Sequence, residues 1–199
     1  PDSSDRAKDD DGAIVTENAN DEIAFDYFVS QGLSDEQAAG IVGNLDQESG
    51  MDPTIWQIGG GPGRGIAQWS AGGRFDSDPN DNVVWFAQTH GGDAWSLQTQ
   101  LEFIWYELDT FGFGFSDLKD STDVTDATLV FMSQYEICGQ CESGNRIAHA
   151  KAALAQFGGK APPPAPPPPP PPEGSQAFLY PYQQHFVNAD GAGNIRHHW

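Results

Sequence analysis

The sequence predicts a mainly α domain of α+β type, with helices around one small β-hairpin beside a candidate active-site cleft. Three observations predict it. Apolar residues recur at helical spacing through most of residues 21–158. Ser34, Ser96 and Thr125 stand where helices should open. One stretch alone, residues 56–75, is too rich in glycine for a helix.

The elements follow in order. Ile23, Phe25, Phe28 and Val29 make a first helix over Glu22 to Ser30, stopped by Gly32. Ser34 and Gln37 have capping-box spacing, and Asp35 and Glu36 suit a positive helix start. Ala38, Ile41, Val42 and Leu45 carry that second helix on. Gly40 and Gly43 each cost it about 1 kcal/mol relative to Ala, so they imply close approach of another backbone. Pro53 ends any continuation. Trp56 to Trp69 then read as a loop and short hairpin, with Gly65 to Trp69 extended; the Gly-Lys-Ser/Thr ending of a phosphate loop is missing. Val83, Val84, Phe86 and Ala87 form a short helix. Ser96 caps a stronger one, with Leu97, Leu101, Ile104, Trp105 and Leu108 on one face. Phe111 to Phe115 is a loop. Thr125 opens a helix that turns Phe131, Met132 and Tyr135 inward, and Ile147, Ala150, Leu154 and Phe157 mark the last one.

The flanks differ from this domain. Residues 1–20 read as an acidic disordered segment, since residues 1–22 hold eight acidic and two basic side chains. Residues 159–175 are a proline-rich linker, a polyproline II rod of roughly 3 Å per residue. Residues 176–199 read as the start of a β-rich second module, cut short at Trp199. His197 and His198 are adjacent and would point to opposite faces of a strand, so no metal site is expected there.

Charge narrows the partners. The 199 residues carry 29 acidic and 9 basic side chains, a formal charge of -20, which repels nucleic acid and anionic membrane surfaces. No apolar run has spanning length, so no membrane insertion is expected. Cys138 and Cys141 lack the two further ligands of a zinc site. They also lack the strand-to-helix setting of a redox motif, which leaves a local disulfide or two free thiols. A disulfide suits an extracellular or virion location. Neither a cofactor nor a metal is expected.

One carboxylate stands out. Glu48 continues the Ile41–Leu45 line in the last helical turn, so the phase sets it on the buried stripe. Burial and the negative helix end would both raise its pKa. A carboxyl kept protonated near neutral pH suits a general acid. The position equally fits a surface Glu at a frayed helix end.

Glu48-Ser49-Gly50 with Pro53 after it, then Gly65-Ile66-Ala67-Gln68-Trp69, resembles the lysozyme superfamily in its goose-type and lytic transglycosylase branches. Gln37 to Leu45, Ser96 to Leu108 and Tyr135-Glu136 extend the match, in order, to the phage tail lysozyme domain. Asp190 to Trp199 resembles the repeats of β-propeller lectins. The resemblance implies a lysozyme-like α+β fold and a glycosidase, muramidase or lytic transglycosylase, that cleaves the MurNAc–GlcNAc strand of peptidoglycan. It implies a place in the virion tail, or secretion, with action at the bacterial cell wall. Other tail or baseplate proteins would be met through the C-terminal part.

Glu48 would then protonate the leaving glycosidic oxygen. Trp56 and Trp69 flank the Gly-rich loop as candidate sugar platforms, with core packing the other reading of Trp69. For Trp85, Trp95 and Trp105 core packing is expected. Gln68 would be the amide partner of the sugar, Gly65 would let it approach the backbone, and Tyr135 would orient Glu48 or the sugar. Direct water attack requires a second carboxylate. Glu107 is the best candidate, and otherwise a structural Glu that bonds a helix start or an Arg. Glu136 reads as structural, pairing Arg146. A non-catalytic glycan-binding or structural tail module of the same fold is the alternative function.

Overall fold

A computed structural model of the chain describes residues 19–137 and 141–160. The acidic N-terminal segment, Cys138, the proline rod and the second module lie outside the described residues. Among the described residues are seven α-helices and one two-stranded sheet, the mainly α architecture the sequence predicts. None of these helices is long and apolar enough to cross a membrane.

Helix α1 (Ala19–Ser30) leads into α2 (Asp35–Ser49), the centre of the fold. The Ser34 hydroxyl accepts from Gln37 N at 3.3 Å, and Ser34 N donates to Gln37 Oε1 at 3.0 Å, completing the expected capping box. The Gln37 amide also donates to Lys119 O and Ser121 O, at 2.9 and 3.0 Å, so the cap doubles as a tertiary tie. Every residue from Gln37 to Asp46 is buried. The reason is that α1, α6 and α7 pack around α2 from several sides.

The two interior glycines permit that packing. A Cβ on Gly40 would stand 2.8 Å from the Ala127 backbone of α6 (Val124–Phe131). One on Gly43 would stand 2.5 Å from Ala150 N and Arg146 O of α7 (Ser143–Phe157). These are distances no side-chain carbon tolerates. The close approach inferred from their helix-breaking cost is therefore present twice.

After α2 the chain enters the Gly-rich stretch. β1 (Gly63–Arg64) pairs antiparallel with β2 (Trp69–Ser70), in the register Gly63↔Ser70 and Arg64↔Trp69. The segment expected to be extended, Gly65 to Trp69, is instead mostly the turn that joins the strands. Gly65 (φ 67°) and Gln68 (φ 50°) are left-handed, and Gln68 N donates to Gly65 O at 3.1 Å. One buried side chain pins this hairpin to the helical body. Gln100, in α4 (Leu97–Phe111), accepts from Ile66 N at 2.9 Å and donates to Pro53 O and Ala94 O, each at 2.8 Å.

The remaining helices mostly start where expected. Asn82 caps α3 (Val83–His90) and Ser96 caps α4. Asp123, rather than Thr125, caps α6 by accepting from Thr125 N and Asp126 N. The expected Phe111–Phe115 loop shrinks to Gly112–Gly114, because α4 runs through Phe111 and α5 (Phe115–Asp120) begins at once. One feature has no sequence counterpart. α6 widens into a π-helical turn at Met132–Glu136, which re-aims the last residues of the helix.

Candidate active site

A cavity of about 470 Å³ opens where α2 ends, between the hairpin and the π-helical turn. Its polar wall includes Glu48, Gln57, Gln68, Ser70 and Glu136, and its apolar wall Ile55, Ile58 and Ile137. The fold thus brings the end of the π-helical turn, from far along the chain, against the end of α2 and the residues 55–70 that follow it.

Glu48 sits on the cavity edge, its side chain 22% exposed. The expected buried stripe is corrected here. Because α2 is buried on all sides before its last turn, no single face marks the inside, and Glu48 emerges where the helix leaves the core. Arg146 holds it, with Nη2 donating to and pairing with Glu48 Oε1. The rest of that guanidinium is occupied. Nε donates to Cys141 O at 2.7 Å, and Nη1 donates to Asn44 O at 3.3 Å and Asn44 Oδ1 at 3.1 Å. Asn44 is fixed in turn by donating to Gly40 O at 2.8 Å and Thr128 O at 3.0 Å. Glu48 is therefore oriented by a buried polar chain that crosses three helices.

Glu136 is the site residue that sequence reasoning placed elsewhere. It was expected to pair Arg146, but that guanidinium bonds Glu48, and Glu136 lines the cavity. Its Oε1 is buried, without a hydrogen-bond partner among the described residues. Burial pushes this carboxyl well above the usual range, and the charge of Glu48 pushes it further; Arg146 and Arg74 only partly oppose them. The signal was present in the sequence, since Tyr135-Glu136 belongs to the matched stretches. The partner of Glu48 was not, because Arg146 lies 98 residues away.

Glu107, expected as the second acid, takes its structural alternative. It is fully buried and outside the cavity lining. Arg74 Nε donates to its Oε1 at 2.8 Å, and the Tyr135 hydroxyl donates to its Oε2. Burial raises its pKa to about 7, against the opposing pull of Arg74 and Tyr135. Tyr135 is likewise buried, stacked on Phe131 with ring centroids 4.4 Å apart, and it orients Glu107 rather than Glu48 or a sugar.

The aromatic and loop candidates divide. Trp69 is 3% exposed, edge-on to Phe103 at 5.6 Å, so core packing is the reading that holds. Trp56 is 62% exposed but outside the cavity lining; the Arg64 guanidinium lies 3.9 Å over its ring, and Trp95 is parallel to it at 6.0 Å. Trp85, Trp95 and Trp105 pack against the core as expected. Gln68 does line the cavity, its amide donating to Gly65 O at 3.0 Å. Gly65 makes room for protein instead of sugar, since a Cβ there would stand 2.6 Å from Gln100 Oε1. Cys141 is disulfide-bonded, which removes the free-thiol alternative.

Comparison with curated proteins finds no match. The family model for phage tail lysozyme matches residues 19–157, the whole helical body and the cavity within it. The chain belongs to the phage tail lysozyme family, with the lysozyme-like, cell-wall lytic function that membership carries.

Proposed function

We propose that this chain cleaves the MurNAc–GlcNAc glycan strand of peptidoglycan, with Glu48 as general acid, as a lysin carried on the virion tail. The observation that carries the reading is the placement of Glu48. One carboxylate oxygen is held by Arg146 and the side chain opens on the cavity wall, so the other oxygen is left for a sugar. In the reaction the bond between the anomeric carbon and the bridging oxygen breaks, and that oxygen leaves with a proton from Glu48. Gln57, Gln68 and Ser70 supply amide and hydroxyl groups for sugar hydroxyls and acetamido groups, while Ile55, Ile58 and Ile137 supply apolar contact. The proline-rich linker would separate this domain from the C-terminal part, through which tail or baseplate proteins would be met.

The test is mass spectrometry of the soluble products released from purified peptidoglycan by the full chain and by Glu48→Gln. The wild type should release glycan fragments, and the substitution should lower the rate by about 10²–10⁴ with the fold retained, as checked by circular dichroism. Reducing muramic-acid ends would make the enzyme a muramidase, and anhydro ends a lytic transglycosylase. Glycan binding without products from a folded wild type would instead support the non-catalytic module.

A further inference from the structure

The cavity holds two carboxylates, and among the described residues only Glu48 has a cation bonded to it. Arg146 has donors on Glu48, Asn44 and Cys141. Arg74, the other guanidinium near Glu136, donates to Glu107. The charged groups facing Glu136 are thus Glu48 from α2, Arg146 from α7, Arg74 from the segment between β2 and α3, and Glu107 from α4; its own turn adds Tyr135, whose hydroxyl is given to Glu107. Among the described residues no donor reaches Glu136 Oε1, which is sealed from water. Two negative charges on one cavity wall, one of them with a carboxylate oxygen sealed from water and without a partner among the described residues, repel each other at neutral pH.

We propose that Glu136 is the proton-holding partner of Glu48, the two carboxylates keeping one proton between them in the resting enzyme. The proposal rests on Glu48 being the acid. In that state the proton resides on Glu136, while Glu48 is bonded by Arg146. On reaction the proton passes from Glu136 to the more open Glu48, which delivers it to the leaving oxygen; Glu136, which never touches the sugar, is a positioning residue. When the anomeric C–O bond breaks, its electron pair stays on the leaving oxygen, which takes the shared proton. Both carboxylates are then charged, facing the electron-poor sugar. The proton is restored by whichever hydroxyl forms the new bond to the anomeric carbon, from water in hydrolysis or from the sugar itself in ring closure. A single-Glu family pattern would thereby use a second acid that never touches the sugar.

Two measurements on the full chain test this. The first is a carboxyl titration by NMR with ¹³C-labelled glutamate, in the wild type and in Glu48→Gln. Removing the charge of Glu48 should move the titration of Glu136 down by about one pH unit or more; an unchanged Glu136 titration would overturn the proposal. The second is the pH profile of cleavage by Glu136→Gln, whose amide mimics the shape of the neutral acid but has no proton to give. Its kcat should fall by about 10²-fold with KM near the wild-type value. The alkaline limb of kcat/KM should move to lower pH, because the shared proton is lost with Glu136. A wild-type profile in Glu136→Gln would show a structural acid only. The titration decides the proton sharing even if the wild type releases no glycan products, an outcome that would sink the proposed function and leave the pair standing.

Discussion

Glu107 shows how a residue can stand out in the sequence for one role and occupy another. Its carboxylate is fully buried, bonded by Arg74 and by the Tyr135 hydroxyl, and burial raises its pKa to about 7 from an ordinary 4.5. A raised carboxyl pKa means that the folded state holds its proton longer than the unfolded chain does. Glu107 therefore subtracts stability as pH climbs from 4.5 towards 7, and its cost is constant above that window. Glu136, raised as well, acts in the same direction. Chemical denaturation at a series of pH values should show stability falling across this window, and Glu107→Gln should flatten the part below about pH 7. A wild type that gains stability from pH 4.5 to 7, with the variant unchanged in slope, would contradict it. The partners of such residues were not legible in the chain. Arg74 is 33 residues from Glu107, and Arg146 is 98 from Glu48. Helical phase speaks only of near neighbours, so it found the acids and could not say which of them share a cavity.

At the scale of elements, what was legible was whatever leaves a local mark. The Ser34 box is written in four residues, and Gly40 and Gly43 announce themselves by costing a helix stability for no local gain. Gly43→Ala should destabilise the protein by about 1–3 kcal/mol, because the new methyl carbon would meet the α7 backbone, which yields less easily than a side chain. Gly144→Ala, in the first turn of α7 with open space around it, should be neutral or gain up to about 1 kcal/mol. Urea denaturation of the two variants side by side checks both signs. The π-helical turn was illegible, since one extra residue in a turn leaves the apolar pattern of α6 intact. It still matters to the site, because it sets Tyr135 inward on Glu107 while Glu136 faces the cavity. The Gly65–Gln68 turn was misread for a related reason. Besides its own bonds from Gln68 to Gly65 O, it is pinned through Ile66 N by Gln100, far along the chain.

Across the whole molecule, the dominant property is a formal charge of -20. Bacterial walls that carry anionic polymers would hold such a protein off at low salt. Clearing of whole-wall suspensions should therefore speed up as salt is raised from about 0.01 to 0.15 M, where the Debye length contracts from about 30 to 8 Å. Turnover of a short uncharged glycan should respond far less, and equal responses would place the salt effect in the cavity instead. The family match covers residues 19–157, and its last helix supplies the bonding partner of Glu48. Arg146 lies near the far end of the domain, yet it is the residue that holds Glu48 and locks onto Asn44 in the second helix. A growing chain carries its acid out of the ribosome about a hundred residues before the clamp for that acid emerges. An interrupted translation product ending before Ser143 would hold Glu48 and lack the arginine that orients it.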